Sequence, residues 1–260
     1  MDKRLSSKEL LELKKYRLCD EINQHFCVAE LLNETYLRFF MKRLTNEIGA
    51  PSEKVAASIF IKRYAFIAVI SLYAMTVWNK KLDLPLNQIY METPETGKDW
   101  LPNFSMKDLN VQTFDSGNRD DWREGVLTDL FVNNIVPLIR MMEKTFGISS
   151  LILWENIAVY LFWLYETELV DREKDDYQFL FLTAKGNLFG CANGNPLQRY
   201  VTVKDKDSGI RMRKTCCFSY QLPAGKRCRT CPCTHLAKDG GCHDGEGICS
   251  AVRGFAGEVQ

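Results

Sequence analysis

Apolar residues recur at helical spacing through most of the first two hundred positions. Ser6-Ser-Lys-Glu9 has the spacing of a capping box and opens a short amphipathic segment carrying Leu10, Leu13 and Tyr16. A second helix is expected from about Val28 to Glu47, with Leu31, Leu32, Phe39, Phe40 and Leu44 as its apolar set, and Gly49-Ala-Pro51 ends it. A third is expected over roughly Glu53 to Trp78. Its most hydrophobic part, Tyr64 to Trp78, is free of charge and bounded by Lys62, Arg63 and Lys80. Fifteen residues make a helix of about 22 Å, short of the roughly 30 Å hydrocarbon core of a bilayer, so the segment reads as a buried helix.

Between Lys80 and about Asn118 the chain is rich in Pro, Asn, Asp and Gly, and two short runs, Ile89-Tyr-Met and Val111-Gln-Thr-Phe114, are expected to pair as strands. Asp121-Trp-Arg-Glu124 restarts a helical pattern through Leu127, Leu130, Phe131 and Ile135, which Pro137 should kink or split and Gly147 should end. Ser150 then caps Leu151 to Tyr165, where only Glu155 and Asn156 break an apolar run, the pattern of a helix at the centre of a bundle. These two polar side chains need partners there, and a satisfied buried pair explains them as well as a binding pocket does. Asp171 to Lys185 carries Tyr177, Leu180 and Phe181 at helical spacing, although Phe179-Leu-Phe-Leu182 also suits a strand. The fold class expected is mainly α, with a small sheet around residues 86 to 114 and a loop-rich segment at the end.

Composition changes this picture only near Asp205. Overall the chain is 46% hydrophobic and 26% charged, and 34 Lys plus Arg against 33 Asp plus Glu leave a formal charge of +1, no global field for nucleic acid or an acidic membrane. From residue 205 to 260, however, few Leu, Ile, Val or Phe accompany eight Gly and seven Cys. That is too little apolar surface to offset chain entropy unaided. The expected division is therefore a helical domain over 1–204 and a cysteine-rich segment over 205–260. The charged start, Met1-Asp-Lys-Arg-Leu-Ser-Ser, lacks the apolar run of a secretory signal, so the protein is expected inside the cell, where cysteines would stay reduced and could ligate metal.

Of ten cysteines, Cys19, Cys27 and Cys191 stand apart and read as small hydrophobes, while His25 reads as a helix-surface residue. The others begin with Cys216-Cys217, followed after ten residues by Cys228-Arg-Thr-Cys231. The second half is a common metal knuckle, in which two thiolates converge on one ion. The adjacent pair is more informative, because structural zinc sites space their paired cysteines by two to four residues. A two-iron cluster offers two metal positions, and four thiolates is its usual count. Together with Arg211-Met-Arg-Lys-Thr before it and Pro232 after it, this pattern resembles the C-terminal signature of the FhuF-type siderophore-iron reductases. Helical character, Trp154-Glu-Asn156 and the Gly194-Asn-Pro196 turn resemble that family more loosely. The resemblance implies a [2Fe–2S] cluster on Cys216, Cys217, Cys228 and Cys231. It also implies reduction of ferric siderophores in the cytoplasm, at or near the inner face of the cell membrane and in contact with an importer. Cys233, His235, Cys242, His243 and Cys249 exceed what the motif needs; they leave open whether Cys231 or Cys233 is the fourth ligand, and a second site.

Nine Lys or Arg lie between Arg199 and Arg229, at 199, 204, 206, 211, 213, 214, 226, 227 and 229, against Asp205 and Asp207, a local balance of +7. Such a patch favours the reduced, more negative state of a cluster and attracts an anionic ferric chelate, and Arg213, Lys214, Arg227 and Arg229 are the expected substrate-receiving residues. A solvated basic loop is the plainer alternative. No Gly-x-Gly-x-x-Gly stands between a strand and a helix, so the electron is expected from an external flavoprotein or ferredoxin rather than from a nicotinamide. There is also no Gly-x-x-x-x-Gly-Lys-Ser/Thr, Gly-x-Ser-x-Gly or His-Glu-x-x-His, which removes the usual support for nucleotide, serine-esterase and zinc-protease chemistry. No side-chain acid, base or nucleophile is required by the expected one-electron chemistry. A zinc- or iron–sulfur-dependent binding or sensor module without turnover is the alternative reading; nucleic-acid binding lacks a recognition helix.

Overall fold

The protein was analysed as a computed structural model, which describes residues 4–19, 26–92, 100–169, 174–204, 209–223 and 225–233. Its axis is the helix α3, Glu53–Trp78, which follows α1 (Ser7–Leu13) and α2 (Glu34–Glu47). The Ser52 side chain accepts from the Val55 N–H to start α3, and Asn79, at a φ of 51° in the left-handed region, ends it. Every residue from Val55 to Thr76 is buried, so a segment long and apolar enough to span a membrane is here enclosed by the rest of the chain. Phe60 is packed among the rings of Phe40, Tyr64 and Trp100. Burying one such side chain contributes about 1.5 to 3 kcal/mol.

Around α3 lie α2, α4 (Arg119–Leu130), α5 (Val136–Phe146) and α6 (Ser150–Trp163). The expected break at Pro137 takes the form of a π turn, Phe131–Ile135, in which the Val136 N–H reaches back to the Phe131 carbonyl. Proline cannot donate to the carbonyl four residues back, and widening the turn just before it lets the two helices run on without a sharp split. The segment from Asp171 is helical rather than extended over its described part, as α7 (Lys174–Gln178) followed by a further π turn, Phe179–Thr183. The helix expected from Val28 is divided at Asn33, whose side chain accepts from the Tyr36 N–H and so caps α2, leaving Val28–Leu32 as a 3-10 turn.

The small sheet is present with a different pairing from the one expected. Strands β1 (Leu18–Cys19), β2 (Phe26–Cys27), β4 (Ile89–Glu92) and β5 (Asn103–Met106) form one sheet in the order β1-β5-β4-β2. In it β4 runs antiparallel to β5, with Tyr90 opposite Ser105. Val111–Thr113, strand β6, instead pairs antiparallel with β3, Lys80–Leu82, the residues directly after α3. The reason is burial: Phe104, Ser105 and Met106 are all buried, so β5 shows none of the alternation that marks a half-exposed strand.

Candidate metal centre

The cysteine loop is attached to the helical body through two residues of α6. Glu155 accepts hydrogen bonds from the backbone N–H of Lys214 at 2.5 Å and of Thr215 at 2.6 Å, and from the Thr215 hydroxyl. Asn156 Nδ2 donates to both the carbonyl and the hydroxyl of Ser58 on α3, each at 3.0 Å. Ser58 Oγ in turn donates to the carbonyl of Cys217 at 2.9 Å. The Asn156 Oδ1 atom accepts from the Arg213 guanidinium at 2.6 Å. The residues immediately before and within the Cys216-Cys217 pair are thus held by side chains of two core helices.

Beyond the pair the chain turns back at Phe218, which has a φ of 63°, and its N–H is aimed at the Cys216 sulfur at 3.3 Å. A left-handed phenylalanine is uncommon and costs about 1 to 2 kcal/mol. The turn Ser219–Gln221 and Gly225 complete the return toward Cys228. A methyl group on Gly225 would lie 2.1 Å from the Ser219 carbonyl oxygen and 2.8 Å from that of Leu222, inside contact distance of both. Gly225→Ala is accordingly expected to displace the Cys228 knuckle and to lower the iron content of the purified protein several-fold, with the far-ultraviolet circular dichroism of the helical body retained. Full iron occupancy in this variant would show that the loop tolerates the shift.

The four thiols of the sequence motif converge. Cys216 and Cys231 place their sulfurs 3.9 Å apart, close to the roughly 3.8 Å separating two thiolates bound at about 2.3 Å to one tetrahedral metal. The Cys231 N–H donates to the Cys228 carbonyl at 2.9 Å, closing the knuckle. Cys217 is hydrogen-bonded to Cys228, and this bond together with burial pushes its thiol up to about 12. The Cys216 thiol is lowered, chiefly by its bond to Cys231, whose own thiol is raised by the same contact. Buried thiols that share protons in this way are the donor set a thiophilic metal requires once those protons leave. Cys233 also brings its sulfur within 4.8 Å of those of Cys216 and Cys231, so it stands at the same site as the motif thiols. His25, His235, Cys242, His243 and Cys249 lie outside the described residues. Cys19, Cys27 and Cys191 are half-buried and lie well before the group in the sequence.

The basic patch differs from its sequence count. Arg213 is turned inward, 5% exposed, against Asn156 and Glu155, so it does not present itself to a substrate in solution as expected. Lys204 and Arg211 are both ion-paired with Glu166, and Arg211 also stacks on Phe162. Glu155 and Glu166 come from the α6 region, some 40 to 60 positions earlier, and no local window contains them. Lys214, Arg227 and Arg229 remain partly exposed beside the cysteines, with Arg227 stacked over Tyr220. Lys206 lies outside the described residues. Glu155 and Asn156 are the site residues that sequence reasoning left undecided; the signal was present in two polar side chains within an otherwise apolar helix.

A loop of four converging thiols, three of them buried, docked on a helical bundle is the donor set of a thiolate metal centre. Comparison with known families agrees. Residues 58–209 match the family described as ferric iron reductase FhuF-like transporter, and residues 213–232 match the FhuF 2Fe-2S C-terminal domain. The chain belongs to the FhuF family, and its cofactor is a [2Fe–2S] cluster. It is similar to the ferric siderophore reductase of Escherichia coli (strain K12), with 26% identity over 167 residues, covering 62% of this chain. The match spans 58% of that relative, less than two thirds of its length.

Proposed function

We propose that this protein is a ferric-siderophore reductase, in which Cys216, Cys217, Cys228 and Cys231 hold the cluster and chelated Fe(III) is reduced to Fe(II). The observation that carries this reading is the convergence of those thiols within the segment matching the 2Fe-2S domain. Hydroxamate, catecholate and carboxylate oxygens are hard donors that hold Fe(III) far more tightly than Fe(II), so one added electron releases the metal and leaves the chelator intact. When bound, a [2Fe–2S] cluster supplies electrons singly. The protein's own residues position that chemistry: Ser58, Glu155 and Asn156 fix the loop, and Lys214, Arg227 and Arg229 form the cationic rim that receives an anionic chelate. We assign residues 1–204 to the siderophore-binding body and 205–260 to the redox segment. The electron comes from an external flavoprotein or ferredoxin. The setting we infer is the cytoplasm at the inner face of the membrane, beside the importer that delivers the chelate.

The test is anaerobic mixing of the reduced protein with ferric siderophores in the presence of a ferrous-specific chromogenic chelator. Reoxidation of the protein in step with one trapped Fe(II) per electron is expected. A reduced protein that stays reduced with every siderophore class would leave the binding or sensor reading in its place. Single charge removals at Lys214, Arg227 and Arg229 should raise KM and flatten its salt dependence, with kcat little changed.

A further inference from the structure

Among the described residues of the basic patch, Arg213 is the buried one. Its guanidinium donates to Asn156 Oδ1 at 2.6 Å, and its nearest carboxylate, Glu155 Oε2, lies 3.6 Å from Nε. That separation is too long for a hydrogen bond, and among the described residues the buried Arg213 Nε has no hydrogen-bond partner. Glu155 is itself occupied by two backbone N–H groups and the Thr215 hydroxyl. A buried cation so weakly matched by its acid is costly unless further negative charge stands nearby. Among the described residues the thiols are placed to supply it: the Arg213 backbone N–H donates to the Thr230 carbonyl, inside the Cys228–Cys231 knuckle, at 3.4 Å, and against burial, which lowers it, Cys217, Glu155, Cys228 and Cys216 together raise the Arg213 pKa. Lys62, also buried and one turn beyond Ser58 on α3, acts on Cys217 from the same side.

We infer that Arg213 is the internal counter-ion of the thiolate centre, held by Glu155 and Asn156 as positioning residues, and that this buried pair sets the reduction potential of the cluster. The inference rests on the [2Fe–2S] reading above. A four-thiolate cluster gains one further negative charge on reduction, so a fixed cation beside it favours the reduced state and a fixed anion opposes it. Removing either charge therefore moves the potential in opposite directions. A role confined to packing gives no reason for opposite signs.

The experiment is a spectroelectrochemical titration of the full-length, cluster-loaded protein and of its Arg213→Gln, Arg213→Lys and Glu155→Gln variants, with iron and sulfide counted on each. Arg213→Gln should lower the midpoint potential, Arg213→Lys should restore most of it, and Glu155→Gln should raise it. Unshifted potentials, or shifts of one sign in both charge-removing variants, would overturn the inference. Should Arg213→Gln fail to retain iron, Glu155→Gln decides alone: a raised potential supports the assignment and an unchanged or lowered one refutes it. Loss of the cluster from both means that the pair builds the site and does not tune it, and also refutes it. Wild-type protein without iron and sulfide would instead defeat the functional reading, so the two failures are distinguishable.

Discussion

Replacing Cys216, Cys217, Cys228 or Cys231 singly by Ala is expected to abolish the visible absorption of the purified protein and to reduce its iron from about two per chain to a small fraction of one. The same replacement of Cys19, Cys27, Cys191 or Cys233 should leave both intact. A [2Fe–2S] centre needs four thiolates, and Cys216 and Cys231 stand 3.9 Å apart while Cys217 is bonded to Cys228. The helical body should survive, because its apolar core runs from α1 to Tyr200 and forms a group separate from that of Cys216, Cys231 and Cys233. Far-ultraviolet circular dichroism and iron analysis on the same samples check both halves. A Cys231→Ala protein that keeps its colour while Cys233→Ala loses it would move the fourth ligand two residues along the chain.

The second large effect concerns the body itself. Asp176 is 0% exposed and joins three elements. Its carboxylate accepts from Arg119 at 2.6 and 2.9 Å, from Arg123 at 2.7 Å, and from the Thr76 hydroxyl at 3.0 Å. Arg123 also stacks on Phe179, so α3, α4 and α7 meet at this one side chain. Asp176→Asn removes the charge and leaves two arginines facing a neutral amide, one of them buried. Breaking a buried ion pair on one side costs about 3 to 5 kcal/mol, which should appear as a lower urea midpoint with an unchanged slope. Burial alone would raise the Asp176 pKa, but the bonds to Arg119 and Arg123 outweigh it and hold the carboxyl below the usual aspartate value. A lowered folded-state pKa means that the stabilisation is complete above the unfolded value of about 3.9 and disappears as pH falls through the folded one. The wild-type and Asp176→Asn curves should therefore converge in acid, below about pH 4, and stand apart at neutral pH. Equal stability of the two proteins at pH 7 would show the network to be dispensable.

The sequence resolved most of the helices because each carries its own local signal. Ser52 and Asn79 bracket α3, Ser149 opens α6 one residue before the expected Ser150, and the apolar runs between them are too long for strands. Strand pairing was not legible in the same way: the partner of Ile89–Glu92 is Asn103–Met106, whose buried Ser105 hides its character, and residues far apart in the chain decide the register. The cysteine-rich segment was legible as an iron–sulfur domain because ligand spacing is itself a local pattern. The charge around it could not, since Glu155 and Glu166 reach Arg213, Arg211 and Lys204 only after the chain has folded back. The count of +7 consequently described the segment and not the surface. Arg213, grouped with substrate residues by its position in that count, belongs to the interior because Asn156 and Glu155 hold it there.

The central claim is that four cysteines docked on α3 and α6 hold a redox-active [2Fe–2S] centre. Its most direct test is an absorption spectrum of anaerobically purified protein before and after dithionite, with iron, zinc and acid-labile sulfide counted on the same sample. The account predicts about two irons and two sulfides per chain, negligible zinc, and visible bands that bleach on reduction. A colourless protein with stoichiometric zinc and no sulfide, reproduced after iron-replete anaerobic expression, would contradict it.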